Sequence, residues 1–206
     1  MRRFIWTLAV LAFSVGGAQA DPIMNSPTGL ASPTTTITFS EVVLANGTPL
    51  TNQYSAFGVT FSGLFYNPQP TLVAPNISPP DAGNFSAPRV PPVNLTNPFS
   101  FFFTSPRSAA AFAMVTNLGT ATFEARLGGG TVEMFSAPTD VGPPNNFYGF
   151  QNSAFDEIRM TVTTNNNAAL IDNIQIGAAI PEPSSLALLG VGALGLLGYG
   201  WKRRKA

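Results

Sequence analysis

In the middle of this sequence, carboxylates are the main side chains that could do acid–base or metal chemistry. The whole chain contains no His and no Cys, and no Lys occurs between Asp21 and Ile180. Without these residues there is no Cys nucleophile, no Ser-His-Asp triad, no Ser-Lys dyad and no zinc site of the usual kind. We therefore expect a non-enzymatic protein, with a carboxylate-based hydrolase as the weaker alternative. The carboxylates concerned are Asp21, Glu41, Asp81, Glu124, Glu133, Asp140, Asp156, Glu157 and Asp172.

Two arrangements of these carboxylates suggest chemistry. If the first and last strands of the domain pair, Glu41 and Asp172 could share a calcium ion with Asn173 and backbone carbonyls, because calcium takes hard oxygen ligands. The alternative is that both are solvated residues at strand ends. Asp156 and Glu157 look like a glycosidase pair, but adjacent strand residues point to opposite faces and cannot flank one bond without a bulge, so a solvated strand edge is the favoured interpretation. Calcium is thus the only cofactor that the sequence suggests.

Tyrosines are the candidates for carbohydrate binding. Tyr54, Tyr66 and Tyr148 could stack on sugar rings, whereas phenylalanines usually go to the core. The loop regions 67–98 and 136–147 are the predicted edges of a ligand surface, since long loops are usually functional or disordered. A module that binds a matrix glycan is therefore one hypothesis for the body of the protein.

The pattern of residues 37–177 is typical of an all-β domain. Short β-branched and aromatic runs alternate with turn residues, as in ITFSEVVL followed by ANGTP, which predicts an antiparallel sandwich or barrel. Residues 21–36 are rich in Pro, Ser, Thr and Gly and are predicted to be an exposed lead-in. Residues 21–180 carry four arginines and nine carboxylates. Such an acidic body would repel phosphate backbones, so we expect no nucleic-acid partner.

The segment FEARLGGGTVEMF predicts one hairpin in detail. A two-residue turn at Gly129-Gly130 would pair Leu127 with Val132, Arg126 with Glu133 and Ala125 with Met134. This register puts the apolar pairs on one face and the ion pair on the other.

Both ends of the chain carry targeting features. Residues 1–20 have the charged, apolar and small-residue parts of a signal peptide, with cleavage predicted after Ala20 of Ala18-Gln19-Ala20. Residues 184–201 form an uncharged stretch of roughly 27 Å as a helix, just long enough to span a bilayer. Residues 202–206 follow as a basic tail, which the positive-inside rule places in the cytoplasm. The stop-transfer residues are Lys202, Arg203, Arg204 and Lys205.

Pro181-Glu182-Pro183, the apolar span and the basic tail together resemble the PEP-CTERM sorting signal. The two prolines favour an extended, accessible peptide over the predicted linker 178–183. The resemblance implies that exosortase, a membrane transpeptidase of diderm bacteria that make exopolysaccharide, processes the chain. Its partners would be exosortase, the inner membrane before processing and, in the matrix, exopolysaccharide. The protein would end at the cell surface or in the extracellular matrix; the alternative is a simple membrane anchor.

The body also resembles the β-sandwich domains that commonly precede such signals. Its similar segments are Ile37 to Glu41, Asn52-Gln53-Tyr54, Gly58 to Phe61 and Ile171 to Ile174. This similarity implies a jelly-roll-like antiparallel β-sandwich over 37–177, in which the first and last strands lie side by side. Carbohydrate-binding jelly rolls often hold a structural calcium ion at a comparable place.

Overall fold

A computed structural model describes residues 20–69, 74–86 and 95–179 of the chain. Within these ranges the protein is built from antiparallel β-strands, with one 3-10 turn at Ser55–Phe57. No helix in the described part of the chain has the length and hydropathy of a membrane span. The predicted signal peptide (except Ala20), the PEP motif, the apolar span 184–201 and the basic tail lie outside the described residues.

Eleven strands of the described residues form one continuous antiparallel sheet. In chain order they are β1 (Asp21–Ser26), β2 (Thr35–Ile37), β3 (Pro49–Leu50), β4 (Val59–Ser62), β5 (Leu64–Asn67), β6 (Asp81–Gly83), β7 (Phe99–Thr116), β8 (Gly119–Leu127), β9 (Gly130–Thr139), β10 (Phe147–Thr164) and β11 (Ala169–Ile176). The main path runs β3-β5-β6-β11-β7-β10-β8-β9. The predicted all-β, antiparallel class is confirmed.

Two long strands, β7 and β10, join two regions of the sheet. The first part of β7 pairs with β4 and with the end of β10, whereas its last part pairs with β11 and with the start of β10. The register between β7 and β10 shifts on both sides of Phe155. Such irregularities bend strands and let one strand serve two packed layers. The fold is therefore sandwich-like.

Aromatic rings fill the space between these regions. Phe101 contacts Phe112 edge to face with ring centres 4.9 Å apart, and Phe123 stacks on Tyr148 at 4.7 Å. Such pairs contribute about 0.5–1.5 kcal/mol each beyond the area that they bury. This apolar core holds together a domain that has no disulfide bond, because the chain has no Cys.

The region predicted as an exposed lead-in belongs to the sheet. β1 pairs with β10, and β2 pairs with β11. Ile23 and Leu30 are buried beside Phe147 in a second apolar cluster. Most of residues 21–36 are exposed, but they are not separate from the domain: Pro22 and Ser26, which look like loop residues in the sequence, lie within β1.

The β8–β9 hairpin has a different register from the predicted one. Its turn is Gly128-Gly129, with φ values of +57° and +84°, so that Leu127 pairs with Gly130. A register shift at Val132 then brings Glu133 opposite Ala125. The predicted pairs of Leu127 with Val132, Arg126 with Glu133 and Ala125 with Met134 are therefore wrong. A two-residue turn in which both residues have positive φ matches the twist of the two strands of a hairpin. The bulge then turns the side chain of Phe135 toward the core.

Candidate functional site

The pairing of β2 with the last strand, β11, positions the Glu41–Asp172 region, whereas the first strand of the sheet, β1, pairs with β10. Ile37 of β2 lies opposite Ile174 of β11. Glu41 is exposed in the loop after β2, where its carboxylate accepts hydrogen bonds from the Thr38 backbone N–H (2.8 Å) and hydroxyl (3.1 Å). Asp172 lies inside the sheet and is only 2 % exposed.

Asp172 is a carboxyl group held by backbone donors. Its Oδ2 accepts from the Ser78 N–H at 3.0 Å, and its Oδ1 accepts from the Asn173 N–H at 2.6 Å. Burial raises the pKa of Asp172 from its usual 3.8 to about 7, the two N–H groups oppose that rise, and the charges of Asp81 and Glu41 add to it. The protonation of Asp172 therefore changes near neutral pH.

The calcium site stays a prediction. Within the described ranges, no group of three or more Asp, Glu, His or Cys side chains is placed to hold a metal ion. Both oxygens of Asp172 are occupied by backbone donors, and one oxygen of Glu41 is occupied by Thr38. A calcium ion would have to share these oxygens with the N–H groups that now hold them.

Asp156 and Glu157 each have a different partner. Asp156 accepts a hydrogen bond from the Gly128 N–H at 2.9 Å, next to the hairpin turn. Glu157 is buried, accepts from the Ser100 hydroxyl at 2.7 Å and forms an ion pair with Arg126 at 3.2 Å. The two carboxylates therefore have different partners. The register of β10 shifts between Phe155 and Glu157, so the regular strand on which the prediction of opposite faces rests is absent here, and that prediction stays untested.

The structure does not place the three tyrosines as a stacking surface. Tyr54, Tyr66 and Tyr148 are 0 %, 2 % and 2 % exposed, so none has a ring face free for a sugar. The Tyr54 hydroxyl donates to the Phe39 carbonyl at 3.0 Å. Burial raises the pKa of Tyr148 to about 12. These rings belong to the apolar core, so the prediction that they form an exposed sugar-stacking surface is corrected, although Tyr148 also lines the cleft described next.

A surface cleft lies instead between β1, the β7–β8 turn and the loop after β9. Its volume is about 380 Å³, within the range of small-ligand sites. Polar and apolar groups both line it, and Leu118 at its rim is 75 % exposed. The lining residues are Asn25, Leu118, Pro138, Thr139, Asp140, Pro143, Asn145, Asn146 and Tyr148.

The two loop regions predicted as edges of a ligand surface meet beside this cleft. Asn76 donates from its amide to the Asn146 side-chain oxygen at 2.7 Å and to the Pro144 carbonyl at 2.9 Å. The Asn146 amide in turn donates to the Pro75 carbonyl at 2.6 Å. These three hydrogen bonds fix the loop after β9 against the 74–78 segment, so the cleft has a defined wall.

The chemistry of the cleft suits a neutral polar ligand. Asn25 and Asn145 are exposed amides, and the Asp140 carboxylate accepts from the Val141 N–H through one oxygen. Pro138, Pro143 and Leu118 supply apolar surface, and none of the described residues that line the cleft is Arg or Lys. The sequence could mark the loop after β9 as a site edge, but it could not join that loop to Asn25 and Leu118, which come from distant segments.

Comparison with known proteins identifies the end of the chain. Residues 179–205 match the family model described as the PEP-CTERM protein-sorting motif. The predicted sorting residues Pro181, Glu182 and Pro183 and the basic residues Lys202 to Lys205 lie inside this match. No curated protein and no solved structure shows significant similarity to the chain. The motif implies an exported protein that is sorted by exosortase.

Proposed function

We propose that this chain, which carries a PEP-CTERM sorting motif, is a non-enzymatic surface or matrix protein released from a transient membrane anchor. The observation that carries the proposal is the match of residues 179–205 to the sorting motif. The uncharged stretch 184–201 and the basic tail hold the chain in the inner membrane, with the body outside. Exosortase then acts on the chain at the PEP motif.

The body of the protein fits a structural or adhesive role. It is a sandwich-like domain, which we propose to be a jelly roll, with a core of aromatic rings and no cysteine to be oxidised after export. Four arginines against nine carboxylates leave the exported part acidic. The negative net charge of this domain favours its solubility in a matrix and repels polyanions, which reduces non-specific binding to them.

The test is the identity of the mature C-terminus. Mass spectrometry of the exported protein, from cells with and without exosortase, should show loss of Lys202 to Lys205 only when the enzyme is present. Replacing Pro181, Glu182 and Pro183 by alanine should leave the tail intact and the protein in the membrane. Glu133→Ala, which removes a carboxylate from the body, is the matched control and should be processed normally. A mature surface protein that keeps its tail would show that 184–206 is a simple anchor.

Glycan binding is a second candidate function, and the cleft beside Asn25 and Asp140 favours it. Side-chain amides and a carboxylate can pair with sugar hydroxyls, while Leu118 and Pro143 can pack on the apolar face of a ring. The occupant would be a neutral segment of the matrix exopolysaccharide.

Binding of the exported protein to an array of neutral polysaccharides tests this second function. We expect Asp140→Ala to weaken binding by about tenfold or more, since a lost hydrogen bond to a charged group costs about 1.5–3 kcal/mol, and Asn145→Ala to weaken it by about two- to tenfold, since a neutral hydrogen bond contributes about 0.5–1.5 kcal/mol. Asp156→Ala, a carboxylate outside the cleft, is the control. Equal binding by all three variants would exclude the cleft, and no binding by the wild type would leave the structural role.

A further inference from the structure

The backbone of the chain stays paired with strand β7 as far as Ala179, two residues before Pro181-Glu182-Pro183. β11 ends at Ile176, but its ladder with β7 continues. The Gly177 N–H donates to the Ala109 carbonyl at 2.8 Å, and the Ser108 N–H and hydroxyl donate to the Ala178 carbonyl at 3.3 and 3.2 Å. An isolated bridge pairs Ala179 with Arg107. We call residues 177–179 the exit segment.

The segment before β2 holds the exit segment from the other side. The Thr34 N–H donates to the Ile176 carbonyl at 2.8 Å. The Thr34 hydroxyl lies within hydrogen-bonding distance of the Ile176 carbonyl at 2.9 Å and the Gly177 carbonyl at 3.2 Å. The exit segment thus begins between two other segments of the same chain, as an interior strand does. It becomes exposed only at Ala178 and Ala179.

Gly177 is required for this close approach. A Cβ atom at this position would lie 2.9 Å from both the Cβ atom and the carbonyl oxygen of Ala109. Real Cβ atoms do not come that close to other atoms, so any larger residue pushes the exit segment away from β7. The glycine therefore lets the backbone of the chain remain against the body up to the motif.

Covalent geometry then limits how far the motif extends from the body. An extended chain advances at most about 3.6 Å per residue, so Pro181 lies within roughly 7 Å of the Ala179 bridge and Ser184 within roughly 18 Å. A domain of this size has a radius of gyration of about 15 Å. Pro183, the last residue of the motif, is therefore within roughly 14 Å of the bridge, which is no more than the radius of gyration of the folded body.

We infer that the exit segment controls access of the membrane-embedded processing enzyme to the sorting motif. An enzyme that acts on an extended peptide must surround that peptide, and the folded body occupies one side of it while 177–179 stay paired to β7. Release of the exit segment adds three residues of free chain without unfolding the sheet. The processing rate then follows the fraction of molecules in which the exit segment is released. This inference rests on the proposed function.

A reversible disulfide is the direct test, because the chain has no cysteine of its own. Arg107 and Ala179 are opposed in an antiparallel bridge, a pairing whose Cα atoms lie about 4.5–5.5 Å apart and within the range that disulfides join. In full-length chain, Arg107→Cys with Ala179→Cys should form a disulfide after export. Pulse-labelling should then show processing at least about tenfold slower, with the rate restored by a reductant. The two single-cysteine variants are the controls and should be processed at the wild-type rate.

Gly177→Val tests the opposite direction and does not depend on disulfide formation. Its side chain displaces the exit segment, so processing should be about three- to tenfold faster than in the wild type. Gly142→Val, at a position with no atom within 4 Å of a new Cβ, should leave the rate unchanged.

The outcomes separate this inference from the proposed function. Equal rates in the oxidised double-cysteine variant and the wild type, or an unchanged rate in a folded Gly177→Val, would overturn the inference alone. Failure of the wild type to lose Lys202 to Lys205 would overturn the proposed function and the inference with it.

Discussion

Asp172 should make the folded state less stable as the pH rises, and Asp172→Asn should remove this dependence. The carboxyl group is buried within β11, where it accepts backbone hydrogen bonds from Ser78 and Asn173. Burial raises its pKa to about 7, and the charges of Asp81 and Glu41 add to the rise. In the unfolded chain the same group has its usual pKa of 3.8.

The sign and size of the effect follow from these two pKa values. Below about pH 3.8, Asp172 is protonated in both the folded and the unfolded state, so it does not make the free energy of unfolding depend on pH. Between that value and about pH 7 the unfolded chain has lost the proton while the folded protein keeps it, so the free energy of unfolding falls as the pH rises. A difference of roughly three pKa units corresponds to about 4 kcal/mol, which is the upper limit of the effect. The loss is complete once the pH exceeds the folded-state pKa.

Urea unfolding of the exported protein from about pH 4 to about pH 8 measures this dependence. The asparagine side chain of the Asp172→Asn variant keeps the shape of the carboxyl group but places an N–H₂ group against one of the two backbone donors. Asp172→Asn should therefore be less stable than the wild type by about 1 kcal/mol at the acidic end and more stable at the basic end. Asp140→Asn, which removes a loop carboxylate of the same type, is the control and should follow the wild-type curve. Parallel curves for Asp172→Asn and the wild type would refute the reasoning.

Three further predictions use the same protein. If calcium binds between Glu41 and Asp172, a calcium titration at basic pH should raise Tm by about 2–4 °C for each kcal/mol of binding, and Asp172→Asn should abolish the rise; an unchanged Tm would remove the site. Gly149→Ala would place a Cβ 2.1 Å from the Ala110 carbonyl oxygen and should cost about 2–3 kcal/mol by urea unfolding, whereas Gly142→Ala should change stability by under about 0.5 kcal/mol. In the hairpin, Gly129→Ala should cost about 1 kcal/mol because φ is +84° there; no change would contradict the Gly128-Gly129 turn.

The fold class was predictable because strand composition is a local signal, but the long strands were not. The segments NPFSFFFTSP and AAAFAMVTN look like two strands separated by a turn at Ser105-Pro106. The structure makes them one strand, β7, which bends where it passes from the β4 side of the sheet to the β11 side. A proline has no N–H group to donate to a neighbouring strand, and at such a bend none is needed. Ser105-Pro106 is therefore compatible both with a turn between two strands and with a bend within one strand.

The hairpin shows the same limit at the level of single residues. Alternation of apolar and polar side chains predicts a register only when both strands are regular. A bulge at Val132 shifts everything after it by one position, and Glu133 then lies opposite Ala125. The sequence of this segment is equally compatible with a Gly129-Gly130 turn without a bulge and with a Gly128-Gly129 turn followed by a bulge.

The candidate sites divide by whether their residues are neighbours in the chain. An enzyme that acts on an extended peptide reads side chains in sequence order, so Pro181, Glu182 and Pro183 could be recognised directly and the family match confirms the motif. The cleft takes Asn25, Leu118 and Asp140 from three distant segments, and only the folded sheet brings them together. The cleft lies beside β1 and the loop after β9, whereas the exit segment pairs with residues 107–109 of β7. Variants at the motif should therefore change the localisation of the protein without changing its stability. Variants at Asp140 should change ligand binding in the cleft without changing sorting.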